Sequence, residues 1–418
     1  MVKEGMPPAK SRKPLVVMKF GGTSVGNAER MQNVGSLLAE HAQQAELAVV
    51  VSAMGGITDM LIRAAMEASA GDGEHWKNVR RELARRHREV ADQLLSAAEQ
   101  SFVLPRLAAQ VGNFENLCSG FSLVREVTPR AMDTLSSLGE VMSANLMAAI
   151  LRSLGLAAEA VDATELIVTD DNFGNASPLF EETTVKTRQR LALLRRRGVI
   201  PVITGFRGAT PEGVCTTLGR GGSDFSGTII GAALDADEVW IWTDVDGVMT
   251  ADPRLVPEAR IIPGISYREA IELSFFGAKV LHPKTIQPMM KKKIPVWIKN
   301  SFNPSCPGTR IVPAAPDGPP GVKAILPEQS QPHHGERWGS VELRATGQPG
   351  LHVPQCGRHH LFDGDPIVRG ECALPGRARC GLKTGKGQAR ESFRTGNHSR
   401  PLGVSGSYAA CGDSRRRR

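Results

Sequence analysis

The sequence has few cysteines, few aromatic residues and no long apolar run. Its 418 residues include 7 cysteines, none of them paired as CxxC, which argues against a disulfide scaffold and a structural zinc site. No run of 18 apolar residues is present to cross a membrane. Residues 1–13 are polar and lack the apolar stretch of a secretory signal. These absences predict a cytoplasmic enzyme with no membrane partner.

The formal net charge is +8, and its distribution bears on nucleic-acid binding. Residues 327–418 carry 15 Lys or Arg against 8 Asp or Glu, so nearly all of the excess lies in this C-terminal part. The preceding part of the chain is close to neutral. Nucleic-acid binding by the main body therefore has no support from charge, and no nucleic-acid partner is predicted.

Short apolar runs alternate with longer helical patterns through the first 325 residues, as in parallel α/β folds. We predict a helix at about 27–44 and an almost entirely helical insertion at 76–155, with one long apolar segment at 131–153. The predicted strands are 15–20, 46–52, 157–161, 199–204, 238–243 and 295–300.

The character of the sequence changes after residue 325. Residues 327–418 contain only 13 Leu, Ile, Val or Phe. So little aliphatic material cannot offset the entropy of ordering the backbone, about 1–2 kcal/mol per residue. We therefore predict a flexible N-terminus at 1–13, a folded domain at 14–325 and a poorly structured basic tail at 326–418. The cysteines of this tail match no zinc spacing, so no metal-ligating residues are predicted.

The first candidate site is the segment KFGGTS at 19–24, after the first predicted strand. Glycines let backbone N–H groups approach an anion, and a helix N-terminus adds about half a positive charge. Lys19 is then placed to neutralise a phosphoryl group in transfer. The segment is not a Walker A loop, because GxxxxGK[ST] is absent. The alternative is a glycine turn in which Thr23 or Ser24 caps a helix.

The second candidate site is the segment TTLGRGGSDFS at 216–226, where an arginine lies in a glycine loop before a helix predicted to start near Ser223. Arg220 suits a carboxylate or a phosphate, and Asp224 could hold an ammonium group. Asp224 stands at the third glycine position of GxGxxG, so a dinucleotide fingerprint is rejected. A capped helix start is the alternative. Together the two segments favour a nucleotide phosphate that faces an acidic acceptor.

The third candidate site is the segment TDVDG at 243–247, at the end of a predicted strand. Ligand sites of open α/β sheets lie at such carboxyl ends. The aspartates do not form an EF-hand loop, because the spacing is incomplete and no glutamate closes it. An Asp-Gly turn is the alternative.

Six segments, taken together, resemble aspartate kinases of the amino acid kinase superfamily. They are KFGGTSVG at 19–26, VSAMGGITDML at 51–61, TLSSLGE at 134–140, TTLGRGGSDFSG at 216–227, WTDVDGVMTADPR at 242–254 and FGAKVLHPKTI at 276–286. GRGGSD followed by FGAKVLHP favours aspartate kinase over acetylglutamate, glutamate and nucleoside-monophosphate kinases. The resemblance covers about residues 14–325 and implies an α/β fold, a three-layer α/β/α sandwich around a mostly parallel sheet.

The resemblance implies transfer of the γ-phosphoryl group of ATP, with Mg²⁺, to the side-chain carboxylate of L-aspartate. This is the first step of lysine, threonine and methionine synthesis. Lys19 and Asp224 would be the catalytic residues. The phosphate-binding residues would be Lys19, Gly21, Gly22, Thr23, Ser24, Gly221 and Gly222. The aspartate-binding residues would be Thr58, Glu140, Arg220, Ser223 and Asp224. The nucleotide-binding residues would be Thr243, Asp244, Met249, Arg254 and Lys279.

Three details accompany this assignment. Gly139 is expected to leave room for a ligand beside Glu140. No general base is needed, because a carboxylate nucleophile is already ionised at neutral pH. His282 is accordingly interpreted as a structural residue.

The tail departs from the resemblance. Aspartate kinases of this type continue into paired ACT domains, which bind feedback amino acids and form subunit contacts, and no βαββαβ alternation follows residue 325. We expect a chain without feedback control, a homodimer weakened by the missing region, and a tail translated from a shifted reading frame. The alternative is a truncated, inactive protein of the same fold that only binds nucleotide or amino acid.

Overall fold

The computed structural model describes residues 12–275, 281–314, 324–328 and 337–341. All of these residues belong to one compact unit, Met1–Cys372. The predictions made for residues 1–11, for Lys279 and for most of 326–418 lie outside the described residues.

The bounds of the regular elements are as follows. The strands are β1 (Leu15–Phe20), β2 (Glu46–Val51), β3 (Ala158–Val161), β4 (Ile200–Thr204), β5 (Arg207–Ala209), β6 (Cys215–Thr217), β7 (Glu238–Thr243), β8 (Gly264–Ser266), β9 (Val296–Asn300), β10 (Thr309–Val312), β11 (Ala324–Glu328) and β12 (Arg337–Val341). The helices are α1 (Ala28–His41), α2 (Ile57–Ala70), α3 (His75–Leu94), α4 (Ala97–Val124), α5 (Pro129–Ser136), α6 (Leu138–Ser153), α7 (Phe180–Arg196), α8 (Gly222–Ala233), α9 (Tyr267–Phe275) and α10 (Pro283–Lys292).

The central sheet has eight strands in the order β3-β4-β2-β1-β7-β9-β10-β8. The six strands from β3 to β9 are parallel to their neighbours, whereas β10 runs antiparallel to β9 and parallel to β8. The carboxyl ends of β1, β2 and β7 therefore lie side by side. Ligand sites of open parallel sheets form at this edge.

Two apolar cores lie on opposite faces of this sheet. In β1, Val16, Met18 and Phe20 belong to the core beneath α1–α6, whereas Leu15 and Val17 belong to the core beneath α7–α10. Successive side chains of a strand point to opposite faces, so a strand covered on both faces is a continuous apolar run. This arrangement confirms the predicted three-layer sandwich.

The six predicted strands are all present, each within one residue of its expected bounds. The first predicted helix is shorter than expected and ends at His41. The sequence prediction missed β5, β6, β8 and β10, which are only three or four residues long. A strand this short offers too few residues for a periodic pattern.

The helical insertion is confirmed as α3–α6, but its apolar segment is not one continuous helix. Helix α5 ends at Ser136 and α6 begins at Leu138. Although it contains no unbroken run of 18 apolar residues, the stretch Pro129–Ser153 is long and apolar enough on average to cross a membrane by length and composition. Of its most apolar window, 83% is buried inside the protein, as in a core helix that passes the same test.

The predicted start of the tail falls inside regular structure. Strands β11 and β12 pair antiparallel, and Ala324 at the start of β11 is buried in the core beneath α7–α10. The expected boundary between residues 325 and 326 therefore lies within β11.

Candidate active site

A cavity of about 390 Å³ opens at the carboxyl ends of β1 and β2. It brings together nine residues predicted from the sequence: Lys19, Gly22, Thr58, Glu140, Arg220, Gly221, Gly222, Ser223 and Asp224. The other lining residues are Ser52, Ala53, Met54, Gly55, Gly56, Asp59, Phe206 and Gly219. The remaining predicted site residues within the described ranges do not line it. Segments that are more than 200 residues apart in the sequence thus share one cavity.

Lys19 and Asp224 form an ion pair at the base of the cavity. The distance from Lys19 Nζ to Asp224 Oδ1 is 2.5 Å, and the Lys19 side chain is 8% exposed. The stem of Lys19 packs under α8, where a Cβ on Gly227 would lie 3.1 Å from Lys19 Cβ. The pair fixes the ammonium group at the cavity wall while leaving its remaining N–H groups available for an anion.

Gly22 lets the loop after β1 approach the loop after β2. A Cβ on Gly22 would lie 2.8 Å from the carbonyl oxygen of Ala53, a contact that real Cβ atoms do not make. The N–H of Gly55 donates to the carbonyl of Gly22 at 3.0 Å. Gly22 is therefore required by the close packing of the two loops.

Two helix N-termini face the cavity without a side-chain cap. Helix α2 begins after Gly56 and α8 begins after Gly221, with φ of 80° and 71°, and neither cap residue accepts from the helix through a side chain. Uncapped first-turn N–H groups and the helix dipole together favour an anion. Two of the cavity walls are thus suited to carboxylate or phosphate.

Helix α1 differs from the sequence interpretation. Its N-cap is Asn27, whose side chain accepts from the N–H of Arg30 at 2.9 Å. Neither Thr23 nor Ser24 caps it, so that alternative is wrong. The glycine loop after β1 also ends before this helix begins. The N-terminus of α1 is satisfied by its own cap, and the uncapped ends belong to α2 and α8.

Glu140 presents a buried carboxyl group to the cavity. The residue is 3% exposed, it accepts from the N–H of Ala53, and its Oε2 has no hydrogen-bond partner. Burial raises the pKa of Glu140 to about 7, against opposing effects of the Ala53 N–H, Arg207 and Lys19. A buried oxygen without a partner is unfavourable unless a ligand supplies a donor.

The expectation for Gly139 is wrong. A Cβ on this residue would lie 2.7 Å from Ala53 Cβ and 2.8 Å from Ile57 Cγ2. Gly139 therefore lets α6 pack against the start of α2 and does not leave room for a ligand.

Arg220 is exposed at the mouth of the cavity, next to the N-terminus of α10. His282 caps α10, with its Nδ1 accepting from the N–H of Lys284 at 3.2 Å. A Cβ on Gly221 would lie 3.2 Å from His282 Cβ, so the two loops are in contact. Burial, Lys284 and Arg220 lower the pKa of His282. These contacts agree with the structural interpretation of His282.

The predicted nucleotide residues that the structure describes lie outside this cavity, in and beyond the adjoining loop after β7. The N–H of Gly21 donates to the carbonyl of Trp242 at 3.1 Å, which places Thr243 beside the loop after β1. Asp244 is exposed, and its Oδ1 accepts from the Thr243 hydroxyl at 3.2 Å. A phosphate chain at this edge could therefore contact both loops.

Ser24 makes a contact that the sequence prediction did not foresee. It is 1% exposed, and its hydroxyl lies 2.8 Å from that of Ser301, which donates in turn to the carbonyl of Thr243 at 3.2 Å. This chain of hydroxyls ties together the loops after β1, β7 and β9. Ser24 holds loops in place and does not face the cavity, whereas Thr23 is exposed.

Met249 and Arg254 lie farther along the segment that follows β7. Met249 pairs with Ile261 in an isolated β-bridge. Arg254 is paired with Asp252, at 2.6 Å, and its side chain is 81% exposed. Neither residue reaches the cavity.

Sequence reasoning missed several residues that shape the site. Arg86 on α3 donates to the carbonyls of Gly26 and Gly55, each at 3.1 Å, and so links the loops after β1 and β2. Arg207 on β5 is 9% exposed and, together with Lys19, acts as a cation on Glu140 and opposes the rise of its pKa. No local motif marks either arginine. The glycine pair Gly55-Gly56 could have indicated the uncapped start of α2, but the sequence analysis used this segment only as part of the family resemblance.

Known proteins that are similar to this chain are members of the Amino acid kinase family and aspartokinases. The sequence model of the Amino acid kinase family matches residues 14–300. The chain is 39% identical over 296 residues to the bifunctional aspartokinase/homoserine dehydrogenase 1, chloroplastic, of Arabidopsis thaliana. The matched region covers 71% of this chain and 32% of that protein. It is 37% identical over 297 residues to aspartokinase 2, chloroplastic, of the same plant, with 71% and 54% covered. The chain thus spans about one third to one half of these curated relatives.

Solved structures give a similar result. E. coli aspartokinase III in complex with aspartate and ADP (R-state) matches with a TM-score of 0.69 and 32% identity, covering 75% of this chain and 67% of that chain. The same enzyme in complex with lysine and aspartate (T-state) matches with a TM-score of 0.66 and 33% identity, covering 75% and 68%.

Proposed function

Because this chain belongs to the amino acid kinase family, we propose that it transfers the γ-phosphoryl group of ATP to the side-chain carboxylate of L-aspartate. The product would be 4-phospho-L-aspartate. One observation carries the choice of acceptor. The buried, unpartnered Oε2 of Glu140 shares a cavity with Lys19, Arg220 and two uncapped helix N-termini. An amino acid with two carboxylates supplies both the ammonium group and the anions that such a cavity lacks.

The proposed roles follow from charge and position. Glu140 accepts from the substrate ammonium, and Arg220, Thr58 and Ser223 contact its α-carboxylate. The side-chain carboxylate then points towards Lys19. Its oxygen attacks the γ-phosphorus, the bond from that phosphorus to the β–γ bridging oxygen breaks, and ADP leaves. The nucleophile is already ionised, so positioning and charge screening supply the catalysis.

Lys19 carries the largest electrostatic role in this proposal. A carboxylate and a triphosphate are both anions, and their approach is opposed unless cations lie between them. Lys19 is held at the cavity wall by Asp224, so its ammonium group is positioned before the substrates arrive. The backbone N–H groups of Gly21, Gly22, Gly221 and Gly222 are proposed to receive the phosphates, with Thr23 at the rim.

ATP is proposed to bind at the loop after β7. Thr243 and Asp244 lie beside the loop after β1, which is proposed to bind the phosphates. Met249 and Arg254 are assigned to the base and the phosphates by resemblance alone. Lys279, proposed for the same role, lies outside the described residues. Mg²⁺ would enter with ATP as part of the substrate. Within the described ranges, no group of three His, Cys, Asp or Glu side chains could hold a metal ion by itself.

The experiment that tests this function is ADP release by the purified chain with Mg²⁺ and ATP, with L-aspartate or L-glutamate as the acceptor. We expect release to depend on L-aspartate and to be at least tenfold faster than with L-glutamate, because one extra methylene would move the reacting carboxylate from its position. A folded protein that releases no ADP in response to L-aspartate would contradict the proposal.

Regulation is a further part of the proposal. One solved relative is a complex with lysine. The sequence of residues 326–418 lacks the βαββαβ alternation typical of ACT domains. We therefore expect neither lysine nor threonine at millimolar concentration to inhibit ADP release. Inhibition by either amino acid that is absent from a chain truncated after residue 341 would show that the tail is regulatory.

Location and assembly also remain proposals. A cytoplasmic location is our expectation, although several plant relatives are chloroplastic by name. A homodimer weakened by the changed C-terminal region is expected.

A further inference from the structure

Asp133 on α5 is a buried carboxylate that lies outside the cavity. It is 2% exposed. Its Oδ2 accepts from the N–H groups of Gly174 and Thr217, both at 2.9 Å, and its Oδ1 accepts from the hydroxyl of Thr217 at 2.7 Å. Neither the mechanism nor the resemblance gives this residue a role. A carboxyl group this deep in a protein is retained only where its hydrogen bonds compensate for its lost hydration.

The two residues that donate to Asp133, Gly174 and Thr217, both adjoin the glycine loop that carries Arg220. Thr217 ends β6 and is separated from Arg220 by only two residues. Gly174 lies in a loop packed against Gly219, where a Cβ would be 3.1 Å from the carbonyl oxygen of Gly174. The same two segments are also joined directly, by a hydrogen bond from the N–H of Ala176 to the carbonyl of Thr217 at 2.9 Å. Asp133 therefore joins the strand that leads into the glycine loop to the surface that supports it.

Asp133 also belongs to the segment that delivers Glu140. The hydroxyl of Ser137 donates to the carbonyl of Asp133 at 2.8 Å, at the break between α5 and α6. Glu140 follows in the first turn of α6. The positions of Glu140 and of the Arg220 loop thus both depend on one short segment, residues 133–140.

We propose that Asp133 is a positioning residue for the amino-acid substrate. It sets the separation between the Arg220 loop and Glu140, and hence the affinity for an acceptor that spans both groups. Asp133 itself touches no substrate. The inference rests on the proposed function in one respect only, that these two groups bind the acceptor.

The test compares Asp133→Ala with Asp133→Asn in the full chain. Alanine leaves two N–H groups and one hydroxyl without a partner, so we expect KM for L-aspartate to rise by about tenfold or more while KM for ATP stays within about twofold. Asparagine can present its oxygen to the two N–H groups and its N–H to the Thr217 hydroxyl. We therefore expect KM for L-aspartate to stay within about threefold of the original in Asp133→Asn.

Two further variants separate positioning from a loss of folding. Met132→Ala removes a partly buried side chain of the same helix that packs against the core beneath α1–α6. It should lower the melting temperature and leave both KM values unchanged. Thr217→Val removes one of the three donors and should give a smaller rise in KM for L-aspartate than Asp133→Ala. The inference is overturned if Met132→Ala raises KM for L-aspartate as Asp133→Ala does, or if Asp133→Ala leaves it unchanged.

A measurement without substrate keeps this inference separate from the proposed function. Trypsin cleaves after exposed arginines, and Arg220 and Arg254 are both exposed. Asp133→Ala should speed cleavage after Arg220 about tenfold and leave cleavage after Arg254 unchanged, because proteolysis follows the population of the opened loop. If the wild type fails to phosphorylate L-aspartate, the proposed function fails, while these rates still decide whether Asp133 holds the Arg220 loop in place. Equal rates of cleavage after Arg220 in wild type and Asp133→Ala would overturn it.

Discussion

Replacing Lys19 by methionine is expected to lower kcat for L-aspartate-dependent ADP release by roughly a hundred- to a thousandfold. The reason is the position of its ammonium group, which is nearly buried, is paired with Asp224 at 2.5 Å and lines the cavity. A charge fixed in a site that excludes water is worth far more than a mobile surface charge. Steady-state kinetics with both substrates would measure the effect, and KM for ATP should change much less than kcat.

The same substitution also affects folding, and the design must separate the two effects. Lys19→Met leaves the Asp224 carboxylate without its partner in a largely buried position, which lowers stability by about 3–5 kcal/mol if the charge is retained. The double variant Lys19→Met/Asp224→Asn removes both charges. We expect it to regain most of the melting temperature and to remain inactive. Lys186→Met, an exposed lysine on α7, is the matched control and should be fully active. Activity within threefold of the wild type in Lys19→Met would exclude the proposed role.

Replacing Glu140 by glutamine is expected to raise KM for L-aspartate by roughly 10- to 100-fold, as for the loss of a hydrogen bond to a charged group. Glu140 is the buried carboxyl whose Oε2 has no partner in the described structure. Because its pKa is raised to about 7, KM of the wild type should fall as pH rises from 6 to 8 and the carboxylate forms. KM of Glu140→Gln should not show this pH dependence.

The stability of Glu140→Gln should change in the opposite direction to its activity. The folded pKa of Glu140 is about 7 and its ordinary value is 4.5, so the folded state binds more protons than the unfolded state between these two values. The wild type therefore loses stability as pH rises from 4.5 to 7, by up to about 3 kcal/mol. Glutamine removes this loss. Glu140→Gln should unfold at a higher temperature than the wild type at pH 8 and at nearly the same temperature at pH 4.5.

The control for this comparison is Glu126→Gln, an exposed glutamate between α4 and α5. It should change neither KM nor the pH dependence of the melting temperature. If Glu140→Gln is less stable than the wild type at pH 8, the carboxyl is not buried without a partner. If its KM for L-aspartate is unchanged, Glu140 does not hold the substrate ammonium.

The central sheet could be predicted because its main strands are buried on both faces. Continuous apolar runs such as Leu15–Phe20 and Glu46–Val51 have few alternatives, and both are found with bounds close to those expected. Strands β8 and β10 could not be found in this way, since three or four residues give no pattern. The break at Ser137 was missed because the apolar composition of 131–153 continues through it.

The site could be predicted in its residues but not in its contacts. Nearby glycines identified Lys19 at a strand end and Asp224 at a helix start. Their pairing depends on packing between segments 205 residues apart, which local patterns do not encode. The alternative that Thr23 or Ser24 caps α1 is wrong because the cap, Asn27, lies beyond the segment KFGGTS at 19–24. Burial raises the pKa of Glu140, and this burial follows from the close approach of the start of α6 to the loop after β2 and to Ile57, not from the local sequence.

The most direct test of the account is the chemical identity of the product. The purified chain would be incubated with Mg²⁺, ATP, L-aspartate and hydroxylamine, which converts an acyl phosphate into a hydroxamate. The account predicts the β-hydroxamate of L-aspartate in equal amount to the ADP formed, and formation roughly a hundred- to a thousandfold slower with Lys19→Met than with the wild type. ADP formed without hydroxamate, or a hydroxamate formed equally well from L-glutamate, would contradict it.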